Sequence, residues 1–150
     1  MNEECGKEFT IHRFPVFLRF SFNSTHHNLM PLELEELTDQ VIGACIAVHK
    51  AKGPGFLESI YENCLKIEFR KRGIKAEFQK EVDIFYYEEL VGTHKLDILV
   101  NGELVVELKA IKALEDIHFA QVRSYLRATN LKHGLLINFA TLTLTPKRVM

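Results

Sequence analysis

The segment Asp97-Ile98-Leu99-Val100-Asn101-Gly102-Glu103-Leu104-Val105-Val106-Glu107-Leu108-Lys109 constrains this chain more than any other. Two apolar runs flank an Asn-Gly step, which is the strongest short-range signal for a β-hairpin. Ionised groups are rare inside strands, because an unpaired buried charge is costly. Yet Asp97 opens one run, and Glu107 and Lys109 stand inside the next. Residues two apart on a strand share a face, so Glu107 and Lys109 point the same way. Two carboxylates and an ammonium gathered on a sheet would suit a hard cation, a phosphate and an activated water.

Whether they gather depends on the hairpin register. With a plain two-residue turn, Val100 pairs with Glu103, Asp97 pairs with Val106, and Glu107 faces away from Asp97. A one-residue slip flips every side chain. With a three-residue loop and Gly102 in the left-handed bulge position, Leu99 pairs with Glu103 and Asp97 with Val105. Asp97, Glu107 and Lys109 then share a face. A chemical site therefore predicts a three-residue loop or a bulge near Asp97.

The 150 residues suffice for one domain with a core, and 47% of them are hydrophobic. Nineteen basic and twenty acidic side chains leave a formal net charge of -1. That balance excludes a broad basic coat for nucleic acid and leaves room for a local basic groove beside an acidic site. The three cysteines, Cys5, Cys45 and Cys64, form no CxxC, so neither a zinc knuckle nor a disulfide framework is suggested. A reducing cytoplasm fits. No apolar run reaches the roughly 18 residues of a membrane helix. The aromatic patch at 14–22 is broken by Arg19 and reads as no signal peptide.

Residues 1–29 show no sustained period and read as an N-terminal extension, disordered or added by an early start codon. The domain is expected over 30–150. Leu34, Leu37, Val41, Ile42, Cys45, Ile46 and His49 fall at helical spacing, with Thr38 and Asp39 expected at solvent. Lys52-Gly53-Pro54-Gly55 ends that helix, and Pro54 is placed to open a second over about 56–72. Phe56, Ile60, Cys64 and Ile67 are its expected core side, and Gly73 its stop. A strand over 76–87, with Phe78, Val82, Ile84 and Tyr86 on one face, and a turn at Glu88-Glu89 lead into the hairpin. Apolar residues on both faces of the hairpin strands predict a sheet covered on both sides. A third helix over about 116–129 and a buried strand at 135–139 follow, with 141–144 as a candidate sheet edge. The order α, α, β, β, β, α, β is that of an α/β sandwich.

Asp97…Glu107-Leu108-Lys109 resembles the core of PD-(D/E)XK nucleases. Gly55-Phe56-Leu57-Glu58-Ser59-Ile60-Tyr61 resembles the motif that names the GxxExxY family within that superfamily. The resemblance spans roughly 33–140. It takes in His49-Lys50-Ala51-Lys52-Gly53-Pro54, the QxxxY-like Gln121-Val122-Arg123-Ser124-Tyr125, and Gly134-Leu135-Leu136-Ile137-Asn138-Phe139. One departure is His94-Lys95-Leu96, where the family often carries an aromatic-Arg-Ala run. Lys95 keeps the charge but lacks the guanidinium geometry.

The resemblance implies a restriction-endonuclease-like αβ sandwich with a central mixed sheet flanked by helices. It implies metal-dependent hydrolysis of nucleic acid, DNA by preference, as an endo- or exonuclease. Asp97, Glu107 and the Leu108 backbone carbonyl would hold Mg²⁺ or Mn²⁺, and Lys109 would orient or help deprotonate the attacking water. Glu58 would reach the metal through water or bind a second ion. Tyr61, Gln121, Tyr125 and Lys95 would support the site or position phosphate. Duplex cutting with one site per chain would favour a homodimer, and no membrane partner is implied.

Plainer readings stand beside these. Glu107 and Lys109 could be a structural salt bridge, Glu58 a carboxylate satisfying a helix dipole, and Tyr61 a core aromatic with its hydroxyl satisfied. Arg123, Arg127 and Lys132 could form a modest phosphate-binding stripe. The alternative for the whole chain is a nucleic-acid-binding or protein-interaction module that keeps the fold and hydrolyses little. A phosphodiesterase acting on other substrates is a third reading.

Overall fold

A computed structural model describes residues 32–150, with side chains from Leu34 onward. The expected extension at 1–29 lies outside the described residues. The elements are α1 (Leu32–Lys52), α2 (Glu58–Arg72), β1 (Ala76–Tyr86), β2 (Glu89–Val100), β3 (Leu104–Lys109), α3 (Asp116–Thr129), β4 (His133–Asn138) and β5 (Lys147–Val149). The strands form one mixed sheet in the order β1-β2-β3-β4-β5. Among the described strands, only β3 and β4 pair in parallel. A parallel pair needs a crossover, and α3 supplies it.

Alternation along β3 builds the two layers. Leu104, Val106 and Leu108 join a core with Val41, Cys45, Tyr61, Leu65 and Phe69 of the α1–α2 layer. Val105 points the other way and packs with Val122, Tyr125 and Leu126 of α3. Such double-sided burial explains why β3 and β4 read as continuous apolar runs. Gly134 lets α3 lie close on β4: a Cβ there would sit 2.7 Å from Val122 Cγ1. Among the described residues, no helix is long and apolar enough to cross a membrane.

Several local expectations are corrected. Thr38 is buried, its Oγ1 donating to Leu34 O at 2.7 Å, so a helical back-bond hides its polarity. Pro54 lies in the loop, because Leu57 stays extended (φ -70°, ψ 153°) and α2 starts only at Glu58. The inner face of α2 is Tyr61, Leu65 and Phe69, whereas Phe56, Ile60 and Ile67 are exposed. Gly73 does end the helix, at φ 68°, with its N–H and that of Ile74 returning to Arg70 O and Phe69 O. The β1–β2 turn is Tyr87-Glu88, both at positive φ, one residue earlier than expected. Phe78 and Val82 pack in opposite layers. The sheet edge is β5, and 141–144 is loop.

Candidate active site

The hairpin resolves the register question. Asn101 and Gly102 take left-handed backbones (φ 54° and 72°), and Glu103 N–H donates to Val100 O at 3.0 Å. The first paired residues are Val100 and Leu104, so the loop is Asn101-Gly102-Glu103. It is the expected three-residue length, closed one position later on each strand. The shift of two in the register sum preserves the face, and continuing the ladder sets Asp97 opposite Glu107.

Regular pairing stops one step before that, at Ile98–Val106. There Asp97 Oδ2 accepts the Leu108 N–H at 2.9 Å, so a carboxylate replaces a ladder rung. A second irregularity turns Asp97. Leu96 packs in the α3 layer and Ile98 in the α1–α2 layer, although strict alternation would put both on one side. The neighbouring strand is irregular at the same level, where Gln79 stands between the pairs Phe78–Ile98 and Lys80–Leu96 with φ 54°. The register is the same on both sides of this level, so no residue is inserted. It is a local kink, not the bulge expected as an alternative, and the three-residue loop alone reunites the acids.

Glu107 is 2% exposed on this face. Its Oε1 accepts Lys109 Nζ at 2.6 Å, while its Oε2 is buried without a hydrogen-bond partner. Burial, and then the charge of Asp97, push the Glu107 carboxyl up to about 7 despite the lysine. Asp97 is also raised, first by burial, with Glu62 and Glu58 adding repulsion against the Leu108 N–H and Lys109. Burial opposes the charge on Lys109, but Glu107, Glu58 and Asp97 outweigh it and hold the ammonium protonated. Around Glu107, desolvation and the charge of Asp97 outweigh the single cation, so its carboxyl rises.

The helices close the site. Glu58 opens α2 and its Oε1 accepts the Ala110 N–H at 3.0 Å, just past Lys109. From α3 comes Tyr125, whose phenol is raised by burial and then by the charges of Glu107 and Asp97, and Gln121 Nε2 donates to its hydroxyl at 2.6 Å. A family model for the PD-(D/E)XK nuclease superfamily matches residues 35–149, a span holding every one of these groups.

This chain belongs to the PD-(D/E)XK nuclease superfamily. The crystal structure of SSO0001 is similar, at 18% sequence identity and a TM-score of 0.50. That similarity covers 78% of this chain and 57% of SSO0001, so the chain spans little more than half of that protein. It bears on the fold alone. No curated protein matches the chain.

Superfamily membership implies nuclease chemistry, and nucleases of this kind generally use divalent metals. The donor set fits one. A cation beside Glu107 would satisfy its orphaned Oε2 and offset the Asp97–Glu107 repulsion. Among the described residues no group of three His, Cys, Asp or Glu side chains is placed to hold a metal ion, so Asp97 and Glu107 would serve as a pair. An open pair of carboxylates is the ordinary arrangement for Mg²⁺, which takes its other ligands from water and phosphate.

The remaining predicted residues separate into near and far. Tyr61 is fully buried, its hydroxyl donating to Gly53 O at 2.7 Å and accepting the Phe56 N–H at 3.2 Å. Its ring stacks on Phe139 at 4.3 Å, so it fixes the turn that delivers Glu58. Lys95 is exposed, pairs in register with Glu81, and is not among the charges acting on Asp97 or Glu107. Two participants escape sequence reasoning. Glu62, one turn beyond Glu58, is 8% exposed, accepts from the Gln79 amide and pairs with Lys66 at 2.6 Å. Asn138 is buried at the end of β4, and its Nδ2 and Oδ1 clamp Ile111 O and N at 2.7 and 3.1 Å. The i,i+4 spacing of Glu58 and Glu62, and a lone amide ending an apolar strand, are the signals that could have found them.

Proposed function

We propose that this chain hydrolyses phosphodiester bonds in nucleic acid, preferring DNA, with a divalent cation held by Asp97, Glu107 and the Leu108 carbonyl. The observation that carries this reading is the buried, partnerless Glu107 Oε2 beside a second carboxylate on a central strand. The Gly55…Glu58…Tyr61 spacing supports the GxxExxY branch of the superfamily. A bound Mg²⁺ or Mn²⁺ supplies Lewis-acid stabilisation of charge on the phosphate. Asp97 stays anchored by the Leu108 N–H while its other oxygen serves as a ligand. Without a metal the Glu107 carboxyl is raised to about 7 by burial and by Asp97, and a bound cation would favour its ionised form. Lys109 keeps its proton, so it orients the attacking water and neutralises phosphate charge rather than serving as the base. Glu58 offers its second oxygen to a water or a further ion. Gln121 and Tyr125 position phosphate from α3. Lys95, outside the cluster, meets substrate only at its periphery. A homodimer would give duplex cutting its second site, and the free Cys45 and Cys64 fit a reducing cytoplasm.

One observation favours a second reading, a binding module that hydrolyses little. The 2.6 Å Lys109–Glu107 bond occupies both groups. The test is incubation with single-stranded, duplex and branched DNA in Mg²⁺ or Mn²⁺, with chelator controls. Asp97→Asn and Lys109→Ala should each lower the cleavage rate by about 10²–10⁴-fold. Cleavage that survives in both variants defeats the proposal, and binding without cleavage on every substrate selects the module.

A further inference from the structure

Three cations stand along the outer side and the end of α3. Arg123, Arg127 and Lys132 line one open cavity of about 420 Å³, floored by Leu126, Leu131 and Met150. Among the described residues, no carboxylate side chain lines it. All three cations are exposed, and none has an ion-pair partner among the described residues. Lys66, Arg72, Lys80, Lys109 and Arg148 lie against carboxylates, whereas Arg70, Lys71 and Lys75 also lack ion pairs among the described residues. What sets Arg123, Arg127 and Lys132 apart is that they share one cavity. In a chain of net charge -1, a cluster of uncommitted cations is a local feature that bulk composition hides.

Arg127 also lines a second cavity of about 430 Å³, between α3 and the β1–β2 hairpin, with His94 and Ser124. Asp83 on its far wall accepts the Thr93 hydroxyl at 3.2 Å. Ser124 Oγ lies 3.3 Å from His94 Nε2, and the His94 ring meets Tyr125 edge-on at 4.9 Å. Tyr125 in turn feels the charge of Glu107 and Asp97. The two cavities share Arg127, and the His94 ring against Tyr125, which packs on β3, gives a path from these cations toward the strand that carries Glu107 and Lys109.

We propose that this path is the track of the nucleic-acid strand leaving the acidic site, with Arg123, Arg127 and Lys132 holding its phosphates. The inference rests on the nuclease reading and adds where the substrate lies. Charge complementarity selects the occupant, since a polyanion is the ligand that three unpaired cations in a row fit. Contacts of this kind position a backbone without reading sequence. His133, next to Lys132, is held below its usual value by burial and by the charges of Lys132 and Arg148, in keeping with a positive field there.

The test is fluorescence anisotropy with a labelled single strand and the matching duplex, in chelator and again in Ca²⁺, over a salt series. Replacing all three cations by Ala should weaken binding on the order of tenfold. It should also lower the salt slope by roughly 2 to 3, at about 0.7–0.9 for each phosphate no longer neutralised. Lys71→Ala, an exposed cation at the end of α2, should leave both unchanged, and thermal melts exclude unfolding. Equal binding by the triple variant overturns the track while leaving cleavage, measured separately with Asp97→Asn, to judge the nuclease reading. Absence of wild-type binding in both conditions also overturns it. Poly-glutamate captured as tightly, with the same sensitivity to the triple variant, overturns the assignment to nucleic acid. Binding that follows the cations in a chain that cuts nothing upholds the track and removes the hydrolytic reading.

Discussion

Asp97 is tied to the backbone of Leu108, the residue between Glu107 and Lys109, by a 2.9 Å hydrogen bond. The first acid is therefore located by the strand that carries the second. A shift of β3 would move both together and preserve their spacing.

This proximity has a pH signature. Folding raises the carboxyls of both Asp97 and Glu107, the latter from 4.5 to about 7. The folded chain then binds protons more tightly than the unfolded one. The Glu107 share of that stabilisation is complete below about pH 4.5 and is lost as pH rises toward about 7. Metal-free protein should show a falling melting temperature across that window, and Glu107→Gln should flatten the fall. A melting temperature that rises from pH 5 to pH 7 through this site would contradict the placement of the acids.

Divalent cation should reverse that loss. Above pH 7, Mn²⁺ or Mg²⁺ at 100 times its dissociation constant should stabilise the fold by about 2.7 kcal/mol. Glu107→Gln should abolish the gain in a thermal melt, and Asp97→Asn should reduce it. An equal gain in Glu107→Gln would put the ion elsewhere.

Asn138 joins the ends of β3 and β4 through its bonds to Ile111 and a third from the Ala140 N–H at 3.2 Å. Asn138→Ala should cost about 1–3 kcal/mol by urea unfolding, because it strands buried backbone groups. It should also lower activity by loosening the exit of Lys109. Asn138→Asp restores only the acceptor and should recover part of the stability.

Gly134 is a packing requirement, not a turn. Gly134→Ala puts a methyl 2.7 Å from the β-branched Val122, which is fully buried and has little freedom to yield. The expected cost is about 1–3 kcal/mol by chemical denaturation. Combining it with Val122→Ala should recover much of that loss, and an additive double variant would show that the contact is not the cause.

The sequence marked the central pattern well because charges inside apolar strands are conspicuous. Asp97, Glu107 and Lys109 stood out, and the parity argument tied their meeting to a three-residue loop while leaving the two-residue turn open. The closure itself fell one residue away, since Asn101 and Gly102 both take positive φ and Glu103 becomes the extra residue. In α2 the pattern was ambiguous. Ile60, Cys64 and Ile67 form one apolar stripe, and Tyr61, Leu65 and Phe69 another displaced by one or two residues. Periodicity cannot rank two such stripes, and packing against α1 and the sheet buried the second. Glu62 and Gln79 were hidden for a different reason. Their meeting depends on β1 passing the second turn of α2, a tertiary coincidence with no local trace.

The position of β3 has one further consequence. It has a neighbour on each side, β2 and β4, and a layer of helices above and below. Peripheral strands can fray alone, but a strand so enclosed gives up its amide protons only when the whole domain opens. Partial damage at the rim would thus leave Glu107 in place, and the chemistry should vanish in the same cooperative event as the fold.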